Sequence, residues 1–182
     1  GMIYDKTKKY RSAIDMYQKA LRLDPQNIDA LTALAASQAN AGDANGAIIS
    51  YEQAVMLNPS LGQEYKALGD LYMDQKREKE AMKAYKKYLD SSAGENDHEI
   101  ADLYGRYALE NEQYKDAVRY LAIVKAHDPE NFYTLLSYGR ACYHACNYRE
   151  VIPILEGLRK RNPKLSTLLK MLVMLGDAYE KT

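Results

Sequence analysis

The sequence predicts an all-α fold in which antiparallel helix pairs stack side by side as a solenoid. The first observation is a repeated proline, because Pro25 and Pro59 are separated by the same interval as Pro129 and Pro163. Each proline lies at the end of a segment, and the four segments share one residue pattern. They read AIDMYQKALRLDPQN, AIISYEQAVMLNPS, AVRYLAIVKAHDPEN and VIPILEGLRKRNPK. A recurrence at roughly 34 residues is typical of helical repeat arrays.

Small and aromatic residues recur at equivalent places in the predicted helices. The second helix of a pair carries an early alanine and, one turn later, a large residue: Ala13 and Tyr17, Ala47 and Tyr51, Ala81 and Tyr85, Ala117 and Leu121. The first helices carry a glycine at matching points: Gly69, Gly105 and Gly139. Glycine inside a helix costs about 1 kcal/mol relative to alanine. Its recurrence therefore predicts that two backbones approach closely there.

These landmarks divide the chain into helix pairs in order. A half unit at 1–27 supplies the end of a first helix and a complete second helix. Four complete units follow, at 28–61, 62–97, 98–131 and 132–165. The signature MLGDAYEKT predicts a further first helix at 166–182. We expect residues 1–182 to form a single domain.

Two irregularities interrupt the period, and the later one is a three-residue slip after Pro163, which predicts an altered packing angle for the last helix. The phase slips by two residues inside LDSSAGENDHE, where Ala93 stands in place of the expected proline. The sequence therefore predicts a longer loop between the second and third complete units.

With these residues in phase, the chain resembles the tetratricopeptide repeat (TPR) family, whose pattern pairs Leu-Gly and Tyr in one helix with Ala, Phe or Tyr, Ala and Pro in the next. The resemblance covers essentially the whole chain. It implies a right-handed superhelix of about four complete units with half units at each end. Both ends fall inside a repeat, so we expect a segment of a longer array.

The composition argues against several classes of function. The chain carries 25 Lys and Arg against 25 Asp and Glu, which gives no electrostatic reason to expect nucleic acid as a partner. It has no run of about 18 apolar residues that could insert into a membrane, and GMIYDKTKKYR lacks the apolar region of a signal peptide. This pattern favours a cytoplasmic location.

No enzyme activity, cofactor or metal site is predicted. The sequence CYHAC contains Cys142, His144 and Cys146, but on a continuous helix the two cysteines share a face that His144 does not. We expect both thiols to be buried and structural. The remaining histidines, His98 and His127, are assigned to repeats of their own, so we expect no histidine cluster. The abundant tyrosines imply no ligand site either, since each ring can pack while its hydroxyl reaches water.

The resemblance implies that partners lie along a groove lined by the first helices. Among the residues that match lining positions, we expect the partner to contact Lys66, Asp70, Glu99, Asp102, Arg106, Tyr133, Leu136, Arg140 and Tyr143. Core packing does not need apolar residues on this face, yet Tyr133, Leu136 and Tyr143 lie around Arg140. Exposed aromatic residues beside an arginine are typical of binding hot spots. The alternative is an ordinary solvated helix face.

We therefore expect a non-catalytic protein–protein interaction scaffold. It would hold an extended peptide or a helix of a partner in the groove, anchored by Arg140 with Tyr133 and Tyr143. Two alternatives remain open. The chain could self-assemble as a homo-oligomer through its open repeat ends, or it could be the helical arm of a larger multidomain enzyme.

Overall fold

The computed structural model describes the backbone of residues 2–161 and 163–182 and the side chains of residues 9–161 and 163–182. Ten α-helices and no strands occur in these ranges, which confirms the all-α prediction. The helices are α1 Met2–Leu23, α2 Ile28–Asn40, α3 Ala44–Leu57, α4 Gly62–Asp74, α5 Glu78–Leu89, α6 His98–Glu110, α7 Tyr114–His127, α8 Phe132–His144, α9 Tyr148–Arg159 and α10 Leu165–Glu180.

Each helix packs against the next one along the chain within two compact units. The first unit comprises residues 1–95 and contains α1 to α5. The second comprises residues 96–182 and contains α6 to α10. In both units first and second helices alternate, and each pair buries alanine, leucine and tyrosine side chains between its helices.

The segment between α5 and α6 is longer than the other connections between pairs, which confirms the predicted longer loop. It occupies residues 90–97, whereas the corresponding connections occupy 58–61 and 128–131. The preceding helix α5 has 12 residues where α3 and α7 have 14. The longer loop and the shorter helix together give the slip in the phase of the repeat.

The turn inside each pair places one residue in the left-handed region. Gly42, Lys76, Glu112 and Cys146 have φ values of 85°, 59°, 60° and 62°. After each of them the next N–H donates to a carbonyl five residues earlier, as from Arg77 to Tyr72 at 2.8 Å. This Schellman arrangement satisfies carbonyl groups that the end of a helix leaves without partners.

Helix α1 does not follow this pattern. It runs without interruption from Met2 to Leu23, so the predicted end of a first helix and the turn after it are absent there. Lys8, which lies one repeat before Gly42, has a helical backbone. A continuous helix satisfies the backbone hydrogen bonds of this segment without a turn.

The prolines at 25, 59, 129 and 163 lie beyond the ends of second helices, as their inability to continue a helix requires,. Pro153 is different, because it lies inside α9. Having no N–H, it cannot donate to the carbonyl of Arg149 one turn earlier.

The glycines of the first helices make room first for side chains, and the predicted close backbone is seen at Gly105, where the nitrogen of Leu121 would lie 3.3 Å from an added Cβ. A Cβ added at Gly69 would overlap the ring of Tyr85. At Gly105 it would lie 2.8 Å from Cγ of Leu121, and at Gly139 it would lie 3.3 Å from Cδ2 of Leu155. The large residue of each second helix therefore fills the space above the glycine of its own pair.

Candidate peptide-binding surface

Four predicted site residues share one face of α8. Tyr133, Leu136, Arg140 and Tyr143 are spaced three, four and three residues apart, which aligns them along a helix,. Tyr133 is 71% exposed in the first turn, and its ring packs edge-on against Phe132 at 5.6 Å between centroids. Arg140 is exposed, whereas Leu136 and Tyr143 are half-buried.

A pocket of about 580 Å³ lies between α8 and α10. Leu136, Arg140, Tyr143 and His144 line it from α8, and Thr167, Leu169, Lys170, Met171, Val173 and Met174 line it from α10. We call it the α8–α10 pocket. Its walls are mostly aliphatic and thioether side chains, and Arg140 and Lys170 supply two cations. The structure thus brings together three of the four predicted α8 residues, while Tyr133 lies outside the lining.

Arg140 is available to a ligand. No side chain in residues 9–161 and 163–182 forms an ion pair or hydrogen bond with its guanidinium group. The lining contains no carboxylate that could neutralise it. An arginine at the mouth of an apolar pocket can donate two parallel hydrogen bonds to an incoming carboxylate.

Tyr143 forms a fixed wall of the pocket. Its hydroxyl donates a hydrogen bond to the carboxylate of Asp177 on α10, and this bond raises the pKa of Tyr143. Its ring also packs edge-on against His144 and Tyr148, with centroids 5.3 and 6.1 Å away. These contacts hold the ring in place before any ligand arrives, which lowers the entropy cost of binding.

The sequence reasoning missed the contribution of α10. The repeat slips by three residues after Pro163, as the positions of Gly139 in α8 and Gly176 in α10 show. In that register Asp177 corresponds to Arg140, whereas in the structure it accepts the hydrogen bond from Tyr143. The register therefore does not identify which residue of α10 meets Tyr143.

Two of the three predicted site residues on α6 form an ion pair with each other. Arg106 forms an ion pair with Asp102, with the guanidinium nitrogen and carboxylate oxygen 2.9 Å apart, and the pair is partly exposed. Glu99 lies exposed in the first turn of the same helix. Helix α6 touches α8, and the ion pair reduces the charge that Arg106 and Asp102 offer a ligand.

The predicted site residues on α4 form contacts with side chains of the first unit. Asp70 accepts a hydrogen bond from the hydroxyl of Tyr85 at 2.8 Å, and Lys66 lies over the ring of Tyr88, 5.2 Å from its centroid. Burial and the bond to Asp70 raise the pKa of Tyr85. Both residues of α4 thus have a structural role between α4 and α5.

Many tyrosine hydroxyls meet carboxylates. Tyr104 donates to Asp116 at 3.1 Å, and Tyr138 donates to Glu150 at 2.6 Å, each across one helix pair. Tyr72 on α4 donates to Glu52 on α3, which belongs to the preceding pair. Burial, followed by the bond to Glu150, raises the pKa of Tyr138. These pairs let a tyrosine ring enter the core while its hydroxyl keeps a partner.

The two cysteines occupy different environments, so the prediction that both are buried is wrong for one of them. Cys142 is buried in α8, and burial raises the pKa of its thiol to about 11. Cys146 is exposed, because α8 ends at His144 and the left-handed turn carries Cys146 away from the helix face. His144 turns elsewhere and stacks on Tyr114, with centroids 4.8 Å apart.

The prediction that all three histidines lie apart is also wrong. His98 begins α6 and His127 ends α7 of the same pair, and their rings stack with centroids 3.5 Å apart. In the described part of the chain, no three His, Cys, Asp or Glu side chains gather as metal ligands would. None of the described helices combines the length and apolar character that crossing a membrane requires.

Comparison with known families and proteins shows one consistent relationship. Models of the tetratricopeptide repeat match residues 1–27, 16–49, 63–94 and 105–164. The chain is 37% identical over 60 residues to the N-terminal acetyltransferase A complex auxiliary subunit NAA15 of Arabidopsis thaliana, a match covering 33% of this chain and 7% of that protein. It is 34% identical over 80 residues to the small glutamine-rich tetratricopeptide repeat-containing protein 2 of Mycosarcoma maydis, covering 44% and 23%. These matches span less than two thirds of either relative.

Solved structures share the fold at low sequence identity. A crystal structure of MamA superposes with a TM-score of 0.54 at 19% identity, covering 100% of this chain and 94% of MamA. YrrB, described as a TPR protein with an unusual peptide-binding site, gives 0.56 at 19% identity, covering 90% and 83%. Naa15 in its complex with Naa10 and HypK gives 0.63 at 16% identity, covering 97% and 29%. Together with the repeated residues and helix pairs, the family matches show that the chain belongs to the tetratricopeptide repeat family.

Proposed function

We propose that the chain is a non-catalytic protein-interaction module that binds a peptide segment of a partner in the α8–α10 pocket. Tetratricopeptide repeats in general provide surfaces for protein interaction rather than catalysis,. One observation supports the more specific proposal that the α8–α10 pocket is the binding site. The α8–α10 pocket joins apolar walls to Arg140, a cation that has no partner among the described side chains.

The chemistry of the pocket defines the ligand. Leu136, Val173 and Met174 can enclose one large apolar side chain, since a flexible methionine adapts to irregular shapes,. Arg140 and Lys170 both carry positive charge at this pocket, so a carboxylate next to that apolar side chain is favoured. The ligand is therefore a segment in which Leu, Ile or Phe adjoins Asp or Glu. Tyr133 extends the same face of α8 and offers a stacking surface to the next residue of the segment.

The solved relatives are consistent with this role. YrrB is described as having a peptide-binding site, and Naa15 is seen bound to other proteins. Their identities to this chain are only 19% and 16%. They therefore support the general role and say nothing about the residues of the pocket.

A peptide array tests the proposal directly. The array carries ten-residue peptides with one central Leu, Ile or Phe flanked by Asp and Glu, and matched peptides flanked by Lys and Arg. We expect the 182-residue chain to bind the acidic set. Arg140→Ala should weaken that binding about tenfold or more, since a hydrogen-bonded charge contributes about 1.5–3 kcal/mol. Arg140→Glu should shift the preference towards the basic set.

Arg149→Ala is the matched control, because Arg149 is an exposed arginine on α9 outside the α8–α10 pocket. It should bind the acidic peptides as the unaltered chain does. Equal loss in Arg140→Ala and Arg149→Ala would mean that only general charge attracts the peptides. Binding that Arg140→Ala leaves unchanged would remove the proposed site.

A further inference from the structure

A groove runs between α3 and α5 in the first compact unit. Its volume is about 460 Å³, and Tyr65, Leu68 and Tyr72 of α4 form its floor. Val55 lines it from α3, and Ala84 lines it from α5. Both flanking helices belong to complete pairs and have helices before and after them in the chain. We call this site the α3–α5 groove.

The second unit fills the corresponding place with its own side chains. There the ammonium group of Lys125 lies 4.2 Å from the ring centroid of Tyr138 and 3.5 Å from a carboxylate oxygen of Glu150. When Gly69 is aligned with Gly139, the matching residues of the first unit are Val55, Leu68 and Glu80. Valine and leucine are shorter than lysine and tyrosine, so the groove of the first unit stays open for a ligand.

The side of α3 next to the groove is apolar. Ile49 and Met56 are 57% and 80% exposed. Both lie one turn from Glu52, which lines the groove,. The residues at these two positions in the other complete second helices are Lys83 and Asp90, Arg119 and Ala126, and Pro153 and Lys160. The repeat therefore does not require large apolar residues there, and apolar surface that continues into a groove is typical of interaction sites.

The opposite side of the groove, on α5, is positively charged. Lys83 and Lys87 line it one turn apart, and neither has a hydrogen bond or an ion pair within the described part of the chain. The carboxylates of the lining have partners already: Glu52 accepts a hydrogen bond from Tyr72, Glu80 pairs with Arg77 at 3.1 Å, and Asp90 is not free either. The groove therefore presents apolar surface from α3 and available ammonium groups from α5.

We propose that the α3–α5 groove docks an amphipathic α-helix of a partner protein, with acidic residues along one flank of that helix. The two sides of the groove select this occupant, because its apolar face meets Ile49 and Met56 while its carboxylates meet Lys83 and Lys87. A helix suits the groove better than an extended segment does. The apolar surface runs along two turns of α3, about 10 Å, and a helix repeats its apolar side chains over that distance.

Helix docking is independent of the proposed function. The α3–α5 groove lies in the first unit and the α8–α10 pocket in the second, and the two sites share no lining residue. Peptide binding at Arg140 can therefore fail while helix docking holds, and the reverse is also true.

Fluorescence anisotropy with designed helical peptides tests the docking. The probe is a labelled peptide of about 18 residues, roughly 27 Å long as a helix, with leucine at every third or fourth position and glutamate along one flank. A second peptide replaces each glutamate with lysine, and a third keeps the composition but distributes the leucines around the helix. We expect the 182-residue chain to bind the first peptide at least about tenfold more tightly than either of the others,.

Substitutions on the two sides of the groove test its position. Met56→Glu should weaken binding of the acidic peptide about tenfold, and Lys87→Glu should weaken it and favour the lysine peptide instead. Leu23→Glu and Lys79→Glu are the matched controls, because both residues are exposed and lie outside the lining. Arg140→Ala should also leave helix binding unchanged.

Three outcomes would overturn the inference. No binding of the acidic peptide, or equal binding of all three peptides, would mean that the groove does not recognise an acidic amphipathic helix. Binding that survives both Met56→Glu and Lys87→Glu would place the helix elsewhere on the chain. An average mass that rises with concentration for the unaltered chain, but not for Met56→Glu, would identify a second copy as the occupant.

Discussion

At the scale of single residues, the space above a helical glycine decides what a substitution there does. Gly69 faces the ring of Tyr85, and Gly105 faces Leu121 with less overlap. Gly139 is looser again, and Gly157 faces no atom within 4 Å. The sequence could predict that these glycines recur. It could not show whether a backbone or a side chain fills the space, because both leave the same pattern of small residues.

This difference predicts opposite effects of one substitution at two glycines. Gly69→Ala should lower the free energy of unfolding by about 1–3 kcal/mol, because the methyl group overlaps the ring of Tyr85,. Gly157→Ala should raise it by up to about 1 kcal/mol, since only the helix propensity changes. Urea titrations followed by circular dichroism measure both values. Equal effects at the two positions would mean that Tyr85 moves aside freely.

At the scale of elements, the turns inside the helix pairs share one backbone conformation although their sequences differ. Four turns use the same left-handed position, but only the first carries glycine, at Gly42. Lys76, Glu112 and Cys146 adopt this conformation against their preference, which costs roughly 1–2 kcal/mol for a residue with a Cβ. The cost is tolerated because the Schellman hydrogen bonds and the packed pair hold the turn,.

Relieving that cost should stabilise the chain. Lys76→Gly should raise the free energy of unfolding by about 1 kcal/mol, because glycine adopts a positive φ freely,. Lys83→Gly, at an exposed site inside α5, should lower it by about 1 kcal/mol,. The same chemical change thus has opposite signs in a turn and in a helix. Thermal and urea unfolding of the two variants check this, and a loss of stability in both would contradict it.

The elements also show how far the candidate site follows from the sequence. The spacing of Leu136, Arg140 and Tyr143 was enough to place them on one face, and the structure joins them in one pocket. The hydrogen-bond partners of Tyr143 and Tyr85 could not be found in this way. The repeat slips by three residues between α8 and α10, so the register does not lead from Tyr143 to Asp177. A lining position such as Asp70 carries no information about which hydroxyl reaches it across the pair.

At the scale of the whole molecule, hydroxyl–carboxylate pairs occur in both units and tie stability to pH. The pKa values of Tyr51, Tyr72, Tyr85, Tyr138 and Tyr143 are raised in the folded chain. Burial is the first cause for all except Tyr143, where the bond to Asp177 comes first. The abundance of tyrosine was visible in the sequence. The carboxylate partners were not, because a tyrosine hydroxyl near the surface can equally reach water.

Raised pKa values predict a loss of stability in alkali. The unfolded chain releases these protons at lower pH than the folded chain, so stability is fully present below the unfolded pKa and falls as pH rises. The fall should begin near pH 9, where an unfolded Cys142 ionises while the folded thiol has a pKa of about 11. It should steepen above pH 10 as the tyrosines follow.

Urea unfolding between pH 7 and 11, with tyrosinate absorbance recorded in parallel, measures this loss. Tyr138→Phe should flatten the decline by removing one of the shifted hydroxyls. Tyr133→Phe is the control, because the exposed hydroxyl of Tyr133 has no hydrogen bond among the described residues. A stability that stays level from pH 9 to 11 would contradict the prediction.

The contrast between the two cysteines has a practical consequence. Thiolates react with maleimides and thiols do not, so the enclosed Cys142, with its raised pKa, is protected from such reagents near neutral pH,. Cys146 projects into solvent at the tip of the turn between α8 and α9. A fluorescent dye can therefore be attached at one defined point of the native chain, without removing any cysteine.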